Sequence, residues 1–137
     1  MSTILLSIKP EYVERILDGS KKYEFRRHLA NKKVTRILIY STAPVMKVIG
    51  EVEVIGTLSM KPTPLWEKTK LLAGISRSNF RKYFSGCAAA HAYMLGKVYR
   101  YPEPQPLSKY NINQAPQSFI YVEDEAEVDN SFNNNLK

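Results

Sequence analysis

Two long β-branched runs, Val34 to Ser41 and Val48 to Leu58, constrain this chain more than any other feature. Segments so rich in Val, Ile and Thr fit a pleated surface and leave their edges to be paired. Only a short Pro-containing link separates them, and Gly50 and Gly56 mark expected bends or bulges. The fold has to be organised around a strongly curved sheet.

The flanking segments extend that sheet. Ile4 to Ile8 is an apolar run too short for a helix and stopped by Lys9-Pro10, which predicts a buried first strand. A helix follows: Pro10 suits its first position, Tyr12, Val13, Ile16 and Leu17 share a face, Glu11 and Arg15 sit at i,i+4, and Gly19 supplies a left-handed stop. Lys21 to His28 alternates Tyr23 and Phe25 with Glu24 and Arg26, as a half-buried strand does. Thr63-Pro64 starts a helix expected to reach about Ala73, and Ser76 caps another ending near Gly86, with Phe80, Tyr83 and Phe84 inward. Ala88 to Arg100 returns to strand, Tyr101 to Pro106 reads as a Pro-rich loop, and Gln117 to Val122 closes the sheet. The expectation is an α+β fold: a mixed barrel of five to six strands, one helix after the first strand, and a helical insertion between about Pro64 and Ser85.

The chain has 137 residues, a length suited to one domain with one core. Its net charge of +7 is uneven: from Glu123 onward five acids face Lys137 alone, so that tail carries −4 and residues 1 to 122 carry +11. Such a body attracts polyanions whatever their sequence. The expected division is a domain over 1–122 and an acidic, Asn-rich, disordered tail over 123–137. Cys87 is the single cysteine, which excludes an intrachain disulfide, and no basic segment precedes an apolar stretch at the N-terminus. A reducing cytoplasm is the expected location. No apolar run approaches the roughly 20 residues of a membrane-spanning helix, and with two histidines and one cysteine neither a metal site nor a cofactor is expected.

Gly19-Ser20-Lys21-Lys22-Tyr23-Glu24-Phe25-Arg26 fits G-x-K-x-x-E-x-R just after the first helix. With Leu6 to Pro10, Gly50 to Val54 and Pro116 to Phe119, it resembles the ASCH family, in particular its short stand-alone prokaryotic and phage members. The resemblance implies a PUA-like barrel with a cleft beside the signature loop and a role in RNA metabolism or in transcription and translation. It also implies an alternative, because some family members are hydrolases: an acetylcytidine amidohydrolase and a ribonuclease. Lys21 matches the amidohydrolase's catalytic lysine, but that enzyme has threonine where this chain has Glu24, and only Glu67, by order, stands in for its catalytic glutamate. A carboxylate at that position favours a charged, poorly nucleophilic lysine.

The residues themselves leave two readings open. Lys21, Glu24 and Arg26 form either a structural ion-pair group or a site in which cations grip phosphate and the carboxylate orients them or reads a base. Lys9, Arg27, Tyr40, Ser41, Gln117 and Ser118 complete the candidate ligand-binding set, Tyr40 as a stacking surface and Gln117 and Ser118 as hydrogen-bonding groups. Lys21 and Glu24 are the catalytic candidates if the chain is an enzyme. Lys32, Lys33 and Arg36 extend the basic stretch; Glu51 with Glu53 read as a solvent-facing stripe, and His91 and Trp66 as packing groups. RNA or a nucleotide-like molecule is the expected ligand, with a regulatory protein partner as a further possibility.

Overall fold

The computed structural model describes residues 1–122, so the expected acidic tail lies outside the described residues. The order of elements is β1 (Ser2–Ile8), α1 (Pro10–Asp18), β2 (Tyr23–Arg26), β3 (Val34–Ser41), β4 (Lys47–Met60), α2 (Pro62–Thr69), α3 (Arg77–Tyr83), β5 (Ala90–Gln105) and β6 (Phe119–Val122). Short 3₁₀ turns occupy Lys70–Leu72 and Leu107–Tyr110. One six-stranded sheet runs in the order β2-β5-β4-β3-β1-β6, antiparallel throughout except for β1 beside β3. Its curvature comes from several register shifts along β4 and β5, where extra residues bend the ladder.

The ladder leaves β2 and β6 as its two edges, and a side chain spans the gap between those ends of the sheet. Arg26 on β2 donates Nη2 to the Ser7 carbonyl on β1 at 2.9 Å and Nη1 to Ser118 Oγ, just ahead of β6, at 3.4 Å. The sheet stays open there, and a guanidinium bridges the side where a sixth strand pairing would be needed to close it.

Three apolar clusters hold this arrangement. Ile4, Leu6, Ile8, Ile37, Ile39, Val52, Tyr93 and Leu95 fill the barrel, and α1 packs Val13 and Ile16 against them. The helix forms where the spacing predicts, with Pro10 in its first turn and Gly19 in the left-handed region at φ 87°. Arg15, expected to pair with Glu11, donates Nη1 to Gly74 O at 2.9 Å. The insertion packs Leu65, Ala73, Phe80 and Phe84 on Phe25, Ala90 and Ala92. Ser76 caps α3 by accepting from Asn79 N at 3.0 Å. A third cluster joins Leu5, Leu38, Tyr40 and Val48 to Ile112.

One expectation is corrected. The Pro-rich Tyr101 to Pro106 stretch is not a loop: β5 continues to Gln105, which pairs with Val48. β2 covers only His91 to Met94, so the far half of β5 pairs with β4 alone, and a register shift between Arg100 and Gln105, the partners of Gly50 and Val48, takes up Pro102 and Pro104. Both ends of the sheet are shorter than expected: β2 covers Tyr23–Arg26 and β6 Phe119–Val122.

Candidate functional site

The signature segment begins where α1 stops. Gly19 turns the chain, Lys21 N bonds back to Arg15 O at 2.9 Å, and β2 starts two residues later. Period-two alternation puts Glu24 and Arg26 on one side of β2, the side shared with Tyr93, the cross-strand partner of Glu24. That side faces the end of the barrel, so Glu24 is 6% exposed.

A buried carboxylate needs charged partners, and Glu24 has two. Its Oε2 accepts from Arg26 Nη2 at 2.7 Å and Nε at 3.2 Å, a fork on one oxygen. Its Oε1 lies 4.0 Å from Lys21 Nζ.

Lys21 is the more unusual residue. Only 2% exposed, it donates Nζ to Ala73 O at 2.8 Å, and the ammonium lies 5.2 Å from the Tyr12 ring centre and 4.8 Å from that of Phe25. Burial pushes its pKa below the ordinary lysine value; Glu24 pulls it back up, while Arg26 and Arg15 push it down. Gripping a phosphate directly, as one of the two expectations has it, would need this lysine in the open, but the structure puts it beneath a roof. That roof is the segment after α2: Leu72 O accepts from Lys22 N, Ala73 O from Lys21 Nζ, and Gly74 O from Arg15 Nη1. Gly74 has φ 64° and touches the Lys21 side chain so closely that a methyl group there would overlap it. The insertion therefore completes the signature loop, a role for which Gly74 gives no local sequence signal.

Next to this buried group opens a cleft of about 460 Å³, walled by the end of β1, the start of α1, β2 and the near face of α3. Lys9, Glu24 and Arg26 from the expected set line it, joined by Ser7, Glu11, Tyr12, Asn79, Lys82 and Tyr83, which the sequence reading did not assign to a site. Its charge is mixed, with Lys9, Arg26 and Lys82 against Glu11 and Glu24. Arg27 flanks the cleft, its guanidinium 4.3 Å from the Tyr83 ring centre and its Nε donating to Tyr83 O at 2.9 Å. Ser118 is at the rim through its contact with Arg26, while Gln117 is exposed beside it.

Two expected residues do not belong there. Tyr40 is 3% exposed and packed with Leu5, Leu38, Val48 and Ile112, so no base can stack on it, and Ser41 is 2% exposed on the same strand. Their positions on β3, two strands in from the β6 edge, explain this. Glu67 is also displaced from any catalytic role with Lys21: it is exposed on α2 and pairs with Lys70 at 2.6 Å.

Elsewhere, Glu51 accepts from Arg36 at 3.1 Å and from Tyr101 OH at 2.9 Å, and burial raises the pKa of that tyrosine. Val52 and Val54 are buried opposite. His91 Nδ1 meets Ser59 Oγ at 2.8 Å, and Trp66 packs on Phe80 at 5.1 Å between ring centres. Among the described residues no cluster of His, Cys, Asp or Glu could hold a metal ion, and no helix is long and apolar enough to cross a membrane.

Comparison with known proteins gives consistent results. The ASCH domain family model matches residues 6–115. An ASCH domain-containing ribonuclease of Zymomonas mobilis is 32% identical over 111 residues, which are 80% of this chain and 71% of that protein. The crystal structure of ASCH from Zymomonas mobilis superposes with a TM-score of 0.83 at 29% identity, covering 90% of each chain. The ATP synthase subunit alpha of Ureaplasma parvum is 32% identical over 121 residues, and there the chain spans 88% of its own length but 15% of that protein's.

Proposed function

Because the chain belongs to the ASCH domain family, we propose that it binds RNA, or a nucleotide-like ligand, in the cleft beside the signature loop, in a reducing cytoplasm. The observation that carries this reading is the posture of Arg26. Nε and Nη2 are held by Glu24 and the Ser7 carbonyl, whereas Nη1 makes only a long, 3.4 Å contact with the exposed Ser118 hydroxyl. A guanidinium fixed on one edge and open on the other is preorganised for a phosphate oxygen. Lys9 and Lys82 line the same cleft and add positive charge to it, an attraction that salt screens. Tyr83, stacked under Arg27, offers a flat surface for an unpaired base. Lys21 acts from behind: its ammonium helps to hold Glu24, and Glu24 holds Arg26.

Three rim and wall cations imply a log–log salt slope of about −2 for a single strand, from roughly 0.7 per phosphate neutralised. Filter binding of single-stranded and hairpin RNA across a salt series measures it. Affinity no better than for heparin of equal charge would remove selective recognition.

A second reading, RNA cleavage, is favoured by the ribonuclease relative, most of whose length the chain spans. Glu24 is then the catalytic candidate, with Lys21 positioning it from behind and Arg26 balancing charge on the phosphate in the transition state. Attack by Lys21 on an acyl group, as an acetylcytidine amidohydrolase would need, fits less well. That step needs an exposed neutral amine, and this one is buried and donating to Ala73 O. End-labelled RNA and acetylated cytidine, each incubated with the protein and with Lys21→Ala, separate the readings. Product from RNA in the wild type alone establishes cleavage; no product from either leaves binding.

A further inference from the structure

The helical insertion does more than roof Lys21. Between residues 61 and 82 it carries Lys61, Lys68, Lys70, Arg77, Arg81 and Lys82 against Glu67 alone, a net +5 in a chain whose total is +7. A structural lid has no need of that charge, and each of these cations is exposed. Helix α3 also has two working faces. Asn79, Lys82 and Tyr83 turn toward the cleft. Arg77 and Arg81, one helical turn apart, rim a separate hollow of about 140 Å³ on the other side, walled by Pro62 and Trp66 and floored by Phe80 and Phe84.

That hollow is well below the roughly 300 Å³ of an ordinary small-molecule pocket, and suits one flat ring. Phe80 and Phe84 are almost fully buried, but Trp66 is only partly covered, tilted at 51° to Phe80. A partly exposed indole beside two arginines is the combination single-stranded nucleic acids use, stacking for the base and cations for the flanking phosphates. The cleft and the hollow lie on opposite sides of one helix, about 10–12 Å across with its side chains.

We propose that the insertion carries a second RNA subsite, in which Trp66 stacks an unpaired base and Arg77 and Arg81 hold the phosphates of a strand that leaves the cleft over α3. The inference rests on RNA being the cleft's ligand, and it adds the direction in which the strand continues. It makes recognition depend on strand length: a ligand confined to the cleft does not reach the hollow, whereas a longer strand occupies both.

Trp66 is the chain's single tryptophan, so its fluorescence reports the hollow directly. The full chain is titrated with a 12-nucleotide single-stranded polyuridine and with a trinucleotide, and binding is followed independently by filter retention. The 12-mer is expected to quench Trp66, and Arg77→Ala/Arg81→Ala is expected to weaken it about tenfold or more, with the salt slope reduced by about 1.4, while trinucleotide affinity is unchanged. Both arginines are exposed, and an unchanged melting temperature of the double variant confirms that the fold is intact. If the 12-mer is retained equally by wild type and double variant and Trp66 emission does not change, the subsite is wrong and the cleft reading stands. If heparin produces the same emission change at matched charge, the hollow is a polyanion surface and base stacking is wrong. If neither oligonucleotide is retained, both the subsite and the cleft reading fall.

Discussion

Replacing Glu24 by glutamine removes one charge from a buried trio and leaves its shape almost unchanged. In the wild type the carboxylate sits between Lys21, 2% exposed, and Arg26, whose side chain is 13% exposed. Removing one partner of a buried ion pair costs about 3–5 kcal/mol because the other charge is left uncompensated. The amide oxygen still accepts from Arg26, and Arg26 keeps its bond to Ser7 O, so about 2–3 kcal/mol is the expected loss. For a domain of this size that lowers Tm by about 6–12 °C. The loss depends on pH. Burial already lowers the Lys21 pKa and Glu24 opposes that shift, so Glu24→Gln lowers it further. A lysine whose folded pKa is depressed binds fewer protons folded than unfolded between the two values, so stability rises with pH through that window and is fully regained above the unfolded value near 10.5. The Tm deficit of Glu24→Gln relative to wild type should therefore shrink between pH 7 and pH 10, as read by calorimetry of both proteins in matched buffers. A deficit that is constant or grows over that range refutes the assignment of Lys21 as the charge that Glu24 neutralises. Filter binding of the same variant tests the role of Glu24 in holding Arg26: RNA affinity should fall, and a gain would mean that the carboxylate merely repels phosphate.

Arg26→Lys keeps the charge but not the fork, so the tie from β2 to Ser7 and Ser118 is lost; amide exchange in β6 should speed up and RNA affinity should fall about tenfold, and unchanged exchange would show that the guanidinium is not the bridge. Gly74→Ala puts a methyl on a left-handed residue packed against Lys21, and should cost at least about 1–2 kcal/mol in chemical denaturation, with a wild-type midpoint contradicting the roof. Tyr40→Phe should bind RNA with wild-type affinity, since the ring lies in the core; a clear loss in filter binding would return Tyr40 to the site. Deleting residues 124–137 removes four acids and Lys137, and should leave Tm nearly unchanged while raising RNA affinity slightly at low salt; a fall of many degrees would mean that this segment packs on the domain.

What the sequence by itself determined lies within reach of a few residues. β1, α1 and the cap at Ser76 follow from runs, spacing and end signals that need no distant partner. The same holds for Glu24 beside Arg26: two positions apart on a strand, they share a side in any fold that keeps β2 extended. Which side, and how deeply buried, was decided only by tertiary structure. Lys21 is enclosed because a carbonyl 52 residues away satisfies its ammonium, and Arg26 bridges the open side of the sheet because β1 and the start of β6 come within its reach. Tyr40 reads like a cleft residue and is core, since nothing near it in sequence says that Ile112 will cover its strand. The prolines of β5 read as a loop because their tolerance depends on how far β2, some 70 residues earlier, extends alongside. Ser7, Tyr12 and Lys82 are ordinary residues on three separate elements, and become one cleft wall only when the sheet curls. Periodicity is set by local backbone geometry, whereas the burial of a polar group is set by whatever the rest of the chain brings to satisfy it.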